Sequence, residues 1–116
     1  MYLVLLTYVK PNSVIDELLP AHRKFLEANY EAGLFVLSGP REPRTGGVVL
    51  AQAGSRWELA AVLEQDPFVT EGAATYEIIE FKATRTGKAL RFLLDGECPV
   101  LDMDLKQRGL ATAGAL

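Results

Sequence analysis

The sequence predicts an α+β domain in which four antiparallel strands carry two helices on one face. Three observations lead there. Apolar runs rich in β-branched and aromatic residues occur at 2–9, 34–40, 48–53 and 75–85, set off by Gly, Pro and Asn as strands are. The stretches after the first and third of these runs carry apolar residues at three- and four-residue spacing instead, the helical period. The segments then alternate as βαββαβ, the split βαβ order of ferredoxin-like domains.

The first strand, YLVLLTYV over 2–9, is closed by Lys10-Pro11-Asn12. It has no basic stretch before it and no small-residue cleavage site after it, unlike a signal peptide, and it is too short to cross a bilayer. It reads as a strand of a cytoplasmic protein. Val14, Ile15, Leu18, Leu19, His22, Phe25, Leu26 and Asn29 follow as a helical stripe stopped by Gly33. Pro20 interrupts the stripe. A proline inside a helix costs about 3 kcal/mol, whereas at the first helical position it costs almost nothing. The expected arrangement is therefore a short turn over 13–18 and a main helix beginning at Pro20, with His22 in its first turn.

The second strand, LFVLSGP over 34–40, ends at Gly39-Pro40, and the loop REPRTGG is short enough to make an antiparallel hairpin with VVLAQA over 48–53. Ser55 and Glu58 have capping-box spacing ahead of a helix over 55–65 that presents Leu59, Val62 and Leu63 on one face. Asp66 before Pro67 is a ready N-cap for one more short turn. The last strand, TYEIIEFKATR over 75–85, divides Ile79, Phe81 and Ala83 from Tyr76, Ile78, Glu80 and Lys82. Apolar residues recur on both faces of the first two strands, so the face without helices needs a cover. A homodimer closing sheet on sheet supplies one. Residues 86–116 lie beyond the domain of residues 1–85 and read as an assembly arm. In it Ala89–Leu94 form a strand or helical turn, Gly96 and Pro99 break the chain, and Leu101, Leu105 and Leu110 are free to dock on a partner.

Composition narrows the function classes. The 116 residues suffice for one domain, 49% hydrophobic and 23% charged, with a formal net charge of −3. This lacks the basic stripe that phosphate backbones need, which argues against nucleic acid as a partner. The single cysteine, Cys98, rules out an internal disulfide framework and reads as a small apolar residue in a reducing compartment. There is no glycine-rich phosphate motif, no dinucleotide fingerprint and no second histidine, so neither a nucleotide cofactor nor a metal is expected.

The one histidine, His22, shares the register of Leu18, Phe25 and Leu26. An inward histidine either has a structural partner or a task. In a first helical turn the macrodipole opposes the imidazolium, and burial does the same, which favours the neutral ring a general base requires. Asp66 is both an ordinary N-cap and a carboxylate able to orient that ring. Ser38 ends a strand where side chains reach a site rim, and serves as a hydrogen-bond donor rather than as a nucleophile, since no strained elbow surrounds it. Gly39-Pro40 shape the strand exit beside it. Arg41 and Arg44, with the backbone N–H groups of Gly46-Gly47, form either an anion-binding loop or a solvated charged one. Trp57, Phe68 and Tyr76 read as core or dimer packing rather than as a cofactor box.

LPAH, SGP, PRTGG and DPF, in that order and spacing, make residues 1–85 resemble the YciI-like (YCII-related) family of the dimeric α+β barrel superfamily. The resemblance implies barrel-forming dimers and a cleft holding His22 and Asp66, with lyase- or isomerase-type chemistry on small organic molecules. In some members an arginine stands where this chain has Leu19, so anion binding at that position is not available here.

The reading that follows is a small cofactor-free enzyme in which His22 and Asp66 perform general acid–base catalysis and Ser38, Gly39, Pro40, Arg44 and Phe68 contact the substrate. Proton abstraction beside a carbonyl, leading to elimination or isomerisation, suits a base with neither metal nor nucleophile. The alternative is a non-catalytic small-molecule-binding or regulatory dimer using the same cleft. Haem binding through His22 is a third reading, suggested only by fold analogy with other families of the superfamily.

Overall fold

The computed structural model describes residues 1–95 of the chain. A first compact unit, Met1–Phe81, holds β1 (Tyr2–Tyr8), α1 (Asn12–Glu31), β2 (Phe35–Pro40), β3 (Gly46–Ala51), α2 (Arg56–Leu63), α3 (Pro67–Thr70) and β4 (Ala74–Glu80). The strands form one antiparallel sheet in the order β2-β3-β1-β4, the ferredoxin-like arrangement expected from the βαββαβ order. Lys82 begins a second unit, in which a 3-10 turn (Lys88–Leu90) and α4 (Phe92–Asp95) are described. Cys98, Leu101, Leu105, Leu110 and the breaks at Gly96 and Pro99 lie outside the described residues.

Alternation sets the core. β1 is central, and Val4 sits opposite Val49 of β3 and Ile78 of β4, so one face of three strands points the same way. Tyr2, Val4, Leu6, Val49, Ala51, Ala74 and Ile78 bury there against Ile15 of α1, Leu59 and Leu63 of α2 and Phe68 of α3. The opposite face carries Leu3, Leu5, Val48 and Leu50, half-buried, with Leu37 and Ile79 exposed. Strand pairing is irregular between Phe35 and Leu37. The extra residue switches the faces, so Leu37 lies opposite Leu50 on the open face and Ser38 opposite Val49 on the helix face.

Local chemistry explains the ends. Ser55 Oγ accepts the Glu58 N–H at 3.2 Å while Glu58 Oε2 accepts the Gly54 N–H at 3.2 Å, a reciprocal cap on α2. α1 ends in a Schellman turn: the N–H groups of Gly33 and Leu34 donate to the carbonyls of Tyr30 and Asn29, and Gly33 has φ +79°, a left-handed conformation that glycine adopts without penalty.

Three expectations need correction. α1 runs unbroken from Asn12 to Glu31 through Pro20, so His22 lies near the middle of a 20-residue helix and not in its first turn. Pro20 is exposed, and Ile15, Leu18, Phe25 and Leu26 pack both halves of the helix onto the sheet, which outweighs the lost hydrogen bond to the Asp16 carbonyl. The argument from the helix terminus for a neutral ring falls away with it. Gly46 and Gly47 belong to β3, paired with Thr7 and Leu6, and not to the loop. β4 stops at Glu80 instead of continuing to Arg85, and its inward residues are Ala74, Tyr76 and Ile78. Trp57 is 84% exposed on α2, so of the two packing roles read for it the core is excluded.

Gly46 marks a close approach of two strands. A Cβ there would stand 1.8 Å from the Leu6 carbonyl oxygen, whereas at Gly47 the nearest atom, Gly39 O, would be 3.5 Å away. Gly46→Ala should therefore destabilise the fold by about 3 kcal/mol or more, and Gly47→Ala should be tolerated. Urea unfolding of the two variants makes the comparison; equal midpoints would refute the close approach.

Candidate active site

The site begins with a buried carboxylate. Asp66 is 1% exposed and stands just before α3 in extended conformation, where its Oδ1 accepts the Phe68 N–H at 2.9 Å. The same oxygen lies 2.8 Å from His22 Nδ1. A carboxylate oxygen only accepts, so Nδ1 carries the proton and donates, leaving Nε2 as the acceptor of the neutral ring. Nε2 has no hydrogen-bond partner among the described residues. One oxygen thus serves both cap and histidine.

Aromatic packing fixes the ring plane. The Phe68 ring stacks on the imidazole with centroids 3.9 Å apart and planes 10° from parallel, and Tyr8 meets Phe68 edge-on at 5.7 Å. The His22 side chain keeps 13% of its surface open. It opens on a cavity of about 400 Å³ between α1 and the β1–β3–β2 part of the sheet. Leu19 and Leu26 of α1 form one wall, Leu6 and Val49 of the sheet another, and Ser38, Gly39 and Pro40 lie along the end of β2. Gly47, lacking a side chain, leaves the cavity open on the sheet side. A cavity of this size suits a small organic molecule, for which pockets of roughly 300–1,000 Å³ are usual.

Charge is confined to the rim. Arg44 Nη2 donates to Asp16 Oδ1 at 2.6 Å, with both side chains well exposed, and that hydrogen bond chiefly holds the guanidinium's proton affinity above its ordinary value. The Tyr8 hydroxyl is close enough to reinforce the shift. Arg23 also borders the cavity and has no ion-pair partner among the described residues. Ser38 Oγ and the Tyr30 hydroxyl are hydrogen-bonded to each other. No group of three or more His, Cys, Asp or Glu placed to hold a metal occurs among the described residues, and no helix there is long and apolar enough to cross a membrane.

The structure gathers His22, Ser38, Gly39, Pro40, Arg44 and Phe68 around one cavity, with Asp66 behind the histidine. Arg41 does not line it; its backbone N–H donates to the Gly46 carbonyl at the hairpin. Sequence reasoning missed Tyr8, Asp16, Arg23 and Tyr30. Asp16, Leu19, Arg23 and Leu26 follow three- and four-residue steps, a second stripe beside the core-facing one, and that spacing was the available signal.

A four-stranded ferredoxin-like sheet with its helices on one face, and a histidine–aspartate pair set at a cavity beneath the first helix, defines a small α+β protein built around a small-molecule-sized site. The chain belongs to the YCII-related domain family, whose profile matches residues 1–82. Among solved structures it is similar to the 5-chloro-2-hydroxyhydroquinone dehydrochlorinase TftG from Burkholderia phenoliruptrix AC1100, in complex with 2,5-dihydroxybenzoquinone. The TM-score is 0.60 at 22% identity, covering 77% of this chain and 98% of that one, a likeness of fold. No curated protein matches this chain in sequence.

Asp66→Ala removes the cap of α3 and the partner of His22 together. The expected loss is about 1–3 kcal/mol in urea unfolding. Asp66→Asn, which retains an accepting oxygen, should lose less. Equal losses would mean that the accepting oxygen contributes nothing to the junction.

Proposed function

We propose that the cavity is the active site of a small-molecule enzyme of lyase type, with His22 as its general base and acid. The observation that carries this reading is the 2.8 Å contact of His22 Nδ1 with buried Asp66, which leaves Nε2 as the acceptor at the cavity wall. The fold neighbour's activity, dehydrochlorination of a hydroxylated aromatic ring, belongs to the same reaction class.

In this mechanism Nε2 takes a proton from carbon or oxygen of the substrate, the released electron pair forms a new π bond, and a leaving group departs with its own pair. Asp66 holds the resulting imidazolium through Nδ1–H, and the proton then passes from Nε2 to the product or to water. Apolar walls at Leu6, Leu19, Leu26 and Phe68 exclude water from the transfer. Ser38 and Arg44 line the cavity, and in this reading they hold the substrate's oxygen atoms. Incubation with 5-chloro-2-hydroxyhydroquinone and related cyclic enols, following chloride release and deuterium incorporation from D2O, tests this. His22→Ala should lower turnover by about 10²–10⁴-fold. A His22→Ala protein that merely binds these compounds less tightly, with the parent giving no turnover, would favour a binding module.

The open sheet face supports a second part of the proposal, a homodimer. Leu3, Leu5, Leu37, Val48, Leu50 and Ile79 form an apolar surface that a second copy closes sheet to sheet. Light scattering coupled to size exclusion should return twice the chain mass at micromolar concentration, and Leu5→Glu should return the single chain. A monomeric parent protein overturns the dimer without touching the His22 mechanism.

A further inference from the structure

We infer that the site takes a singly charged organic anion, and that Asp16, outside the histidine–aspartate machinery, is the residue that sets this limit. The inference rests on the cavity being the binding site proposed above and deepens it by naming the charge class of the ligand.

The cavity's interior is apolar apart from His22, the Ser38 hydroxyl and the Tyr8 phenol, while three formal charges stand at its rim: Asp16, Arg23 and Arg44. Their sum is +1. Asp16 occupies Arg44 Nη2 at 2.6 Å, but a guanidinium has five N–H donors, so Arg44 retains donors for a second acceptor without releasing Asp16. Arg23 lies two turns along α1 from Asp16 and has no ion-pair partner among the described residues. An anionic group at the rim therefore meets the Arg44 guanidinium beside the Asp16 carboxylate, with the charge of Arg23 further along α1 bringing the net charge of the set to +1. A monoanion is neutralised by that set. A dianion brings a second negative charge towards Asp16, and the repulsion between the two like charges counts against its binding.

The pair makes little sense as a structural staple. Both partners are substantially exposed, and an exposed ion pair adds little to stability. Its position at the cavity, joining α1 to the hairpin loop, makes it a charge selector. The ligand's apolar ring would lie along Leu19, Leu26 and Phe68, which places its anionic group at the rim and its interior edge at His22 Nε2.

The test uses the full chain and three probes of matched ring size: 4-hydroxybenzyl alcohol (neutral), 4-hydroxybenzoate (monoanion) and phthalate (dianion), titrated at neutral pH. The imidazole resonances of His22, the only histidine of the chain, report occupancy. The parent protein should bind the monoanion most tightly. Asp16→Asn should tighten phthalate by about tenfold while leaving the neutral alcohol unchanged. Asp16→Glu should restore the parent ranking, which a purely structural role for Asp16 would not produce. Binding of all three probes with a ranking that Asp16→Asn does not move overturns the inference and leaves the histidine reading standing. Tightest binding of the neutral alcohol by the parent also overturns it. If no probe moves the His22 resonances in any variant, the binding site itself is lost, and the inference with it.

Discussion

Much of this molecule turns on how one buried oxygen is satisfied. Asp66 Oδ1 receives two donors from elements far apart in sequence, the backbone N–H of Phe68 and the imidazole Nδ1–H of His22. A carboxylate that is 1% exposed needs such donors, because the cost of removing it from water is otherwise unpaid. The same two bonds start α3 and lock α1 against it. Once α3 is in place, the Phe68 ring can lie only on the imidazole face, and Tyr8 closes on its edge. The cap of α3 and the orientation of the imidazole therefore come from a single arrangement. A carboxylate placed only to cap would leave the histidine free to turn, and one placed only for the histidine would leave the start of α3 unsatisfied.

The sheet makes the complementary contribution. An irregularity of one residue in β2 turns Ser38 from the open face to the helix face, where it meets Tyr30 and the cavity. Gly47 withholds a side chain on the same face. Together these features leave room between α1 and the sheet at the one place where α1 shows His22. Elsewhere the same two layers close completely around Val4, Ile15 and Leu59. A cavity at a packed interface needs this kind of local exception, since well-packed side chains otherwise fill such space.

Charge is distributed with equal economy. Asp66 and His22 sit inside, mutually satisfied, and the remaining charged groups of the site stay at the rim where water screens them. This separation keeps the histidine–aspartate contact in an apolar setting and leaves the Asp16–Arg44 pair in water. It also explains why Arg44 tolerates its position in an exposed hairpin loop: Asp16 of α1 holds it across the mouth of the cavity.

The sequence by itself determined the elements. The apolar β-branched and aromatic run YLVLLTYV, the stripe of residues 14–29, Ser55 with Glu58 and Asp66 with Pro67 each encode their local structure through interactions within a few residues, and so they could be read directly. The antiparallel hairpin and the βαββαβ order followed from those elements and their short connections. Tertiary structure decided the rest. Pro20 lies inside α1 because packing on both sides of it exceeds a local penalty that sequence reasoning had weighed alone. The turn of Ser38 towards the cavity depends on register between β2 and β3, which no residue of β2 encodes singly. Asp16 and Arg44, 28 positions apart, and His22 and Asp66, 44 apart, meet only because α1 crosses the sheet beside both the hairpin and α3. Short-range preferences are written residue by residue; a site built from long-range contacts exists only when the layers have closed.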